Sequence, residues 1–143
     1  MKDLYDYINI TNIPLEKRIE LSIAETKKEL SELTEFGTCK LFSRHLATHL
    51  NQNHVVSKIV STKELGADYD HYFIIVPINT FEYYLVDLKY PQFQHNEVFK
   101  NLYEKGYEKV TDLNFYLYYA IVTGEQSKIT IQDVYLNKTI KKR

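Results

Sequence analysis

Two strands joined by a tight turn can be read in His71-Tyr72-Phe73-Ile74-Ile75-Val76-Pro77-Ile78-Asn79-Thr80-Phe81-Glu82-Tyr83-Tyr84-Leu85-Val86-Asp87. The runs 71–76 and 81–86 are rich in β-branched and aromatic residues, which suit a pleated, buried surface. Pro77-Ile78-Asn79-Thr80 between them is short enough for a hairpin. Antiparallel pairing then brings the start of the first strand beside the end of the second, so His71 and Asp87 become neighbours.

Upstream of this segment the chain reads as helical. Pro14 suits a first helical turn, and the run Leu15 to Leu33 places Leu15, Ile19, Ile23 and Leu30 close to one face. Glu35-Phe36-Gly37-Thr38 breaks that helix, and a second is expected from Thr38 or Cys39 to about Leu50, ended by Asn51-Gln52-Asn53. Val55 to Ser61 is rich in Val and Ile and reads as a further strand. Downstream, Tyr90 to Gln94 is irregular. Helices are expected from about Asn96 to Glu104, ending at Gly106, and from Asp112 to Thr123, ending at Gly124. Thr130 with Asp133 three residues later resembles a capping box and starts a last helix. The order is helices, strands, helices. That order predicts an α+β fold, with helices packed on a small antiparallel sheet.

The chain has 143 residues, which suits a single domain spanning 1–143 with enough interior to need no disulfide or metal staple. Its 18 basic and 19 acidic residues nearly balance, so no field of one sign draws nucleic acid or an anionic membrane. Neither nucleic acid nor a membrane is an expected partner, and the short basic stretch Lys141-Lys142-Arg143 does not change that. Met1 to Tyr7 lacks the apolar core of a secretory signal, and no stretch is apolar enough to span a bilayer. A cytoplasmic location is expected, or export without a signal peptide as an effector.

The single cysteine rules out an internal disulfide and invites another reading. Cys39 stands at the expected start of a helix, where unpaired N–H groups and the helix dipole favour a thiolate and can hold an oxyanion. An imidazole held by a carboxylate is the general base that activates such a thiol. The candidate catalytic residues are therefore Cys39 as nucleophile, His71 as base and Asp87 as the group that orients the imidazole. A nucleophile in that role is expected to be partly open to solvent.

Gly37-Thr38-Cys39, then a helix, a turn at Asn53 and a strand, followed by His71-Tyr72-Phe73 and Tyr84-Leu85-Val86-Asp87, resembles the core of the transglutaminase-like and papain-like thiol enzymes. The likeness covers roughly residues 37 to 93. It implies thiol acyl chemistry on an amide of a protein or peptide substrate, namely peptide cleavage, glutamine deamidation or acyl transfer, with no cofactor. The sequence departs from many members in placing Leu88 and Lys89 directly after Asp87, with Pro91 only later. It also has Leu33-Thr34-Glu35 in the region where papain-like enzymes often carry a Gln.

Other readings stand beside this one. A lone Cys is most often a small buried hydrophobe. A non-catalytic protein-binding module could keep the same core, with the surface around Tyr90, Phe93 and the Cys39 cleft as its contact. His45 and His49 share one helix face as metal-binding pairs do, yet they fall among Leu41, Phe42, Leu46 and Leu50, where packing explains them better. Phe115-Tyr116-Leu117-Tyr118-Tyr119 is expected to pack in the core with its phenol tips at the surface.

Overall fold

In the computed structural model, residues 12–31 and 39–136 are described. The expected helix break at 35–38, the end of the first helix near Leu33 and the basic stretch 141–143 lie outside them. Five α-helices and four strands are formed among the described residues: α1 (Leu15–Glu29), α2 (Cys39–Gln52), β1 (Lys58–Ser61), β2 (Tyr72–Pro77), β3 (Tyr83–Val86), α3 (Lys100–Lys105), β4 (Tyr107–Val110), α4 (Asp112–Thr123) and α5 (Ile131–Tyr135). The strands lie in sequence order, every neighbouring pair antiparallel. The fold is α+β, as the order of elements predicted.

Both faces of the sheet are covered, which explains why β2 is apolar throughout instead of alternating. Phe73 and Ile75 join Val60, Leu85, Phe99, Phe115 and Tyr118 in one buried cluster. Ile74 and Val76 point the other way, into a second cluster with Ile19, Ile23, Leu46 and Leu50 of α1 and α2. The sheet is thus the middle layer, with α1 and α2 on one side and α4 on the other. Polar groups tie the first pair of helices together. Asn53, just past α2, donates from Nδ2 to Ser22 Oγ and Glu25 Oε1, each at 2.8 Å. Arg18 donates from Nη1 to His54 O at 2.8 Å.

Several boundaries differ from the sequence reading, and each difference has a local cause. Val55 N–H closes α2 by bonding Leu50 O, so β1 begins three residues later than expected. Asn79 Oδ1 accepts from the N–H groups of Phe81 and Glu82, at 2.8 and 2.9 Å. That holds both residues in the turn and delays β3 to Tyr83. The segment after Asn96 starts with a single 3₁₀ turn, Glu97–Phe99, before α3. Strand β4 was not expected at all. Only its ends, Tyr107 and Val110, are buried, while the Glu108 carboxylate accepts from the Asn101 backbone and side-chain N–H groups.

Gly106 joins α3 to β4 in a conformation that few other residues adopt, with φ +89°. Its carbonyl accepts from Asp87 N–H at 2.9 Å, and a Cβ there would lie 2.6 Å from Leu88 Cδ2. Gly124 also has positive φ, +71°, but open space around it. Both Gly→Ala changes should cost about 1–2 kcal/mol for the left-handed backbone. Gly106→Ala should cost roughly 1 kcal/mol more, because Leu88 must move within a packed layer. Denaturant melts of the two variants test this, and equal stabilities would mean that the Leu88 contact carries no energy.

Candidate functional site

His71 immediately precedes β2 and Asp87 immediately follows β3, so the hairpin that the sequence predicted sets them side by side at one end of the sheet. His71 Nε2 donates to Asp87 Oδ2 at 2.7 Å. Both residues are almost completely buried. His71 is fixed from its backbone too, its N–H donating to Thr62 Oγ1 at 2.8 Å. Aromatic rings keep water from the pair. Phe93 meets the imidazole edge to face, with centroids 4.7 Å apart, and Phe73 lies roughly parallel to it at 6.4 Å.

Cys39 is the first residue of α2 and the third member of this cluster. His71 Nδ1, the ring nitrogen not taken by Asp87, has no partner at full hydrogen-bond geometry. The thiol is nevertheless close enough for each group to alter the other's titration. Burial pushes the Cys39 thiol up, but the His71 imidazole, the Tyr72 backbone N–H and the imidazole's charge outweigh that, and its net shift is downward. Burial likewise disfavours the His71 cation. The charge and hydrogen bond of Asp87 prevail, with a smaller contribution from Cys39, and His71 is raised to about 9. The two shifts together favour a thiolate beside an imidazolium.

The site differs from the sequence reading in three respects. Cys39 is 8% exposed, not partly open, because Phe42 and Ser43 of α2 and the chain from Val86 to Lys89 close around it. The cleft between these walls is too narrow for a water molecule. Tyr90 is fully buried under Phe93, Phe99 and Tyr118, so it offers no contact surface, whereas Phe93 is half-buried. Tyr118 does not carry its phenol tip to the surface: it is fully buried, and its hydroxyl donates to Asp87 Oδ2 at 2.7 Å. The sequence held one signal for this, since a buried phenol needs an acceptor. It did not say which tyrosine faces which carboxylate.

His45 and His49 lie apart from this cluster. Both are partly buried, and both bond the Glu29 carboxylate, His49 Nε2 at 3.3 Å, which links α2 to the end of α1. Leu41, expected beside them in the packed layer, is 39% exposed. Among the described residues no helix is long and apolar enough to cross a membrane. Compared with known proteins, the chain matches no family model, no curated protein and no solved structure.

The His71–Asp87 pair makes stability depend on pH. A raised imidazole contributes fully below its unfolded value near 6.5 and loses that contribution as pH rises through about 9. The lowered thiol has the opposite slope, so Cys39→Ala is the background in which to see the pair alone. In that background the melting temperature should fall between pH 6.5 and 9.5. Adding Asp87→Asn should flatten the fall. Parallel curves for the two proteins would show that Asp87 does not hold the imidazolium.

Proposed function

We propose that the chain is a cysteine-dependent hydrolase or acyltransferase acting on an amide of a protein or peptide. The observation that carries this reading is the buried His71–Asp87 bond of 2.7 Å with the thiol of Cys39 close enough to the imidazole for each to shift the other's titration. Burying an imidazole and a carboxylate costs free energy unless they are paired, and a mutual downward shift of the thiol and upward shift of the imidazole suits a nucleophile and its base. The order Cys, His, Asp along helix, strand and strand is similar to that of transglutaminase-like and papain-like enzymes, which supports the same reaction class.

In this reading the Cys39 thiolate attacks the amide carbonyl carbon and forms a C–S bond. Backbone N–H groups in the first turn of α2 would stabilise the resulting oxyanion. The C–N bond breaks as the leaving amine takes a proton from the His71 imidazolium. Water or another nucleophile then gives a proton to His71 as it attacks the thioester, and the C–S bond breaks to restore the thiolate. Hydrolysis of a peptide, deamidation of glutamine and transfer to an amine differ only in the leaving group and in this second nucleophile. The tightness of the cleft supports a second reading, a protein-binding module that keeps the fold without the chemistry, with half-buried Phe93 and exposed Tyr69, whose rings meet at 6.2 Å, as its contact surface.

Alkylation of Cys39 by iodoacetamide against pH separates the two. An ordinary thiol, with a pKa near 8.5, reacts slowly below neutrality, whereas a thiolate paired with imidazolium stays reactive there. The wild type should show a low-pH shoulder that His71→Ala erases and that Asp87→Ala weakens. Superposable profiles for wild type and His71→Ala would exclude the reactive pair and leave the binding module.

A further inference from the structure

Asp87 Oδ2 lies between two donors, His71 Nε2 and the Tyr118 hydroxyl, both at 2.7 Å. The other oxygen, Oδ1, accepts from Lys89 N–H at 3.0 Å. Tyr118 belongs to α4, on the opposite side of the sheet from the helix that carries Cys39. Its ring is held among Phe73, Tyr90, Phe99 and Phe115, so the hydroxyl has little freedom to turn elsewhere. A phenol placed only to fill the core would bring its oxygen to water or to a backbone carbonyl. This one is spent on the atom that also receives the imidazole proton.

We propose that Tyr118 is a positioning residue of the Cys39 site: its hydroxyl pins Asp87 Oδ2 and shares that oxygen's negative charge with His71, which limits how tightly the imidazole holds its proton. The importance of this for acyl chemistry rests on the reading of Cys39 and His71 as a reactive pair. An imidazolium bound too strongly by its carboxylate is a poor acid toward a leaving amine, and a carboxylate with a second donor binds it less strongly. Burial first, and then the charge of Asp87, hold the Tyr118 proton well above the ordinary phenol range, so the hydroxyl remains a donor.

The groups that could compete for this role are few. Cys39 faces His71 from α2. Tyr90, pushed up to about 12 by burial and by Asp87, places its hydroxyl near Gln94 O, 3.5 Å away. Asp70, next to His71 in the chain, accepts from Ser61 Oγ at 2.8 Å. The Lys89 ammonium sits over the Phe42 ring, 4.3 Å from its centroid, and the Lys40 ammonium over Tyr72 at 5.7 Å. Among these side chains, Tyr118 supplies the hydroxyl donated to Asp87 Oδ2.

The test is an NMR titration of the His71 ring in labelled protein, its resonance assigned by its loss in His71→Ala. Tyr118→Phe keeps the ring in its packing and removes the hydroxyl, so the midpoint of His71 should rise by roughly half to one pH unit. In an Asp87→Asn background the same change should have no effect, because the hydroxyl acts through the carboxylate. If Tyr118→Phe does not fold, replacing Tyr118 with 3-fluorotyrosine strengthens the donor and should lower the midpoint instead. A His71 midpoint unmoved by either change, or shifted equally with and without Asp87, overturns the inference. The alkylation profiles of wild type and His71→Ala judge the reactive pair separately, so either idea can fail alone.

Discussion

A carboxylate removed from water is tolerated only when its lone pairs and its charge are both answered, and Asp87 meets that demand with donors from separate parts of the chain. Lys89 N–H comes from its own turn, His71 from the head of the partner strand and Tyr118 from a helix on the far side of the sheet. Gly106 holds the backbone of Asp87 through its carbonyl and belongs to the turn that starts the last strand. The end of the sheet is therefore built around one carboxylate. Loss of any donor would leave charge unpaired in a dry interior, where an unmet hydrogen bond costs about 1–3 kcal/mol or more.

The same constraint governs the charge states of the site. Burial alone would keep both Cys39 and His71 neutral, because desolvation disfavours the charged form of each. The carboxylate reverses the balance for the imidazole, and the imidazole with the Tyr72 N–H reverses it for the thiol. Charge is thus passed along a chain whose far end is the Tyr118 hydroxyl. The aromatic lining of Phe73 and Phe93 strengthens every interaction in that chain by excluding water.

Much of this arrangement was legible in the sequence where local rules apply. The hairpin could be read from two apolar runs and a short turn, and it places His71 beside Asp87 without any knowledge of the rest. Glycine stops marked the ends of α3 and α4, and Thr130 marked the start of α5, where its Oγ1 accepts from Asp133 N–H at 3.0 Å. What was not legible depends on tertiary packing. Strand β4 carries Glu and Lys at its centre, so it has neither an apolar run nor a clear alternation, and only its pairing with β3 makes it a strand. Asn79 drew Phe81 and Glu82 out of the ladder through its own side chain. Tyr118 looked like any other tyrosine of an apolar helix. Its role appears only when the helix lies over Asp87.

The meander order of the sheet has a consequence for how the site comes together as the chain folds. Each strand pairs with its neighbour in sequence, through connections of 10, 5 and 20 residues (62–71, 78–82 and 87–106), and closure entropy is smallest for the shortest. His71 and Asp87 meet through the tightest of these closures. Cys39 and Tyr118 must instead be brought in by helices that precede and follow the hairpin. Most of the entropic cost of assembling the four groups therefore falls on the outer two. An isolated hairpin bearing a paired imidazole and carboxylate would leave them in water, where the pair is worth little. The electrostatic strength of the site is gained only with the closing of both helical layers, so it is a property of the whole cooperative unit.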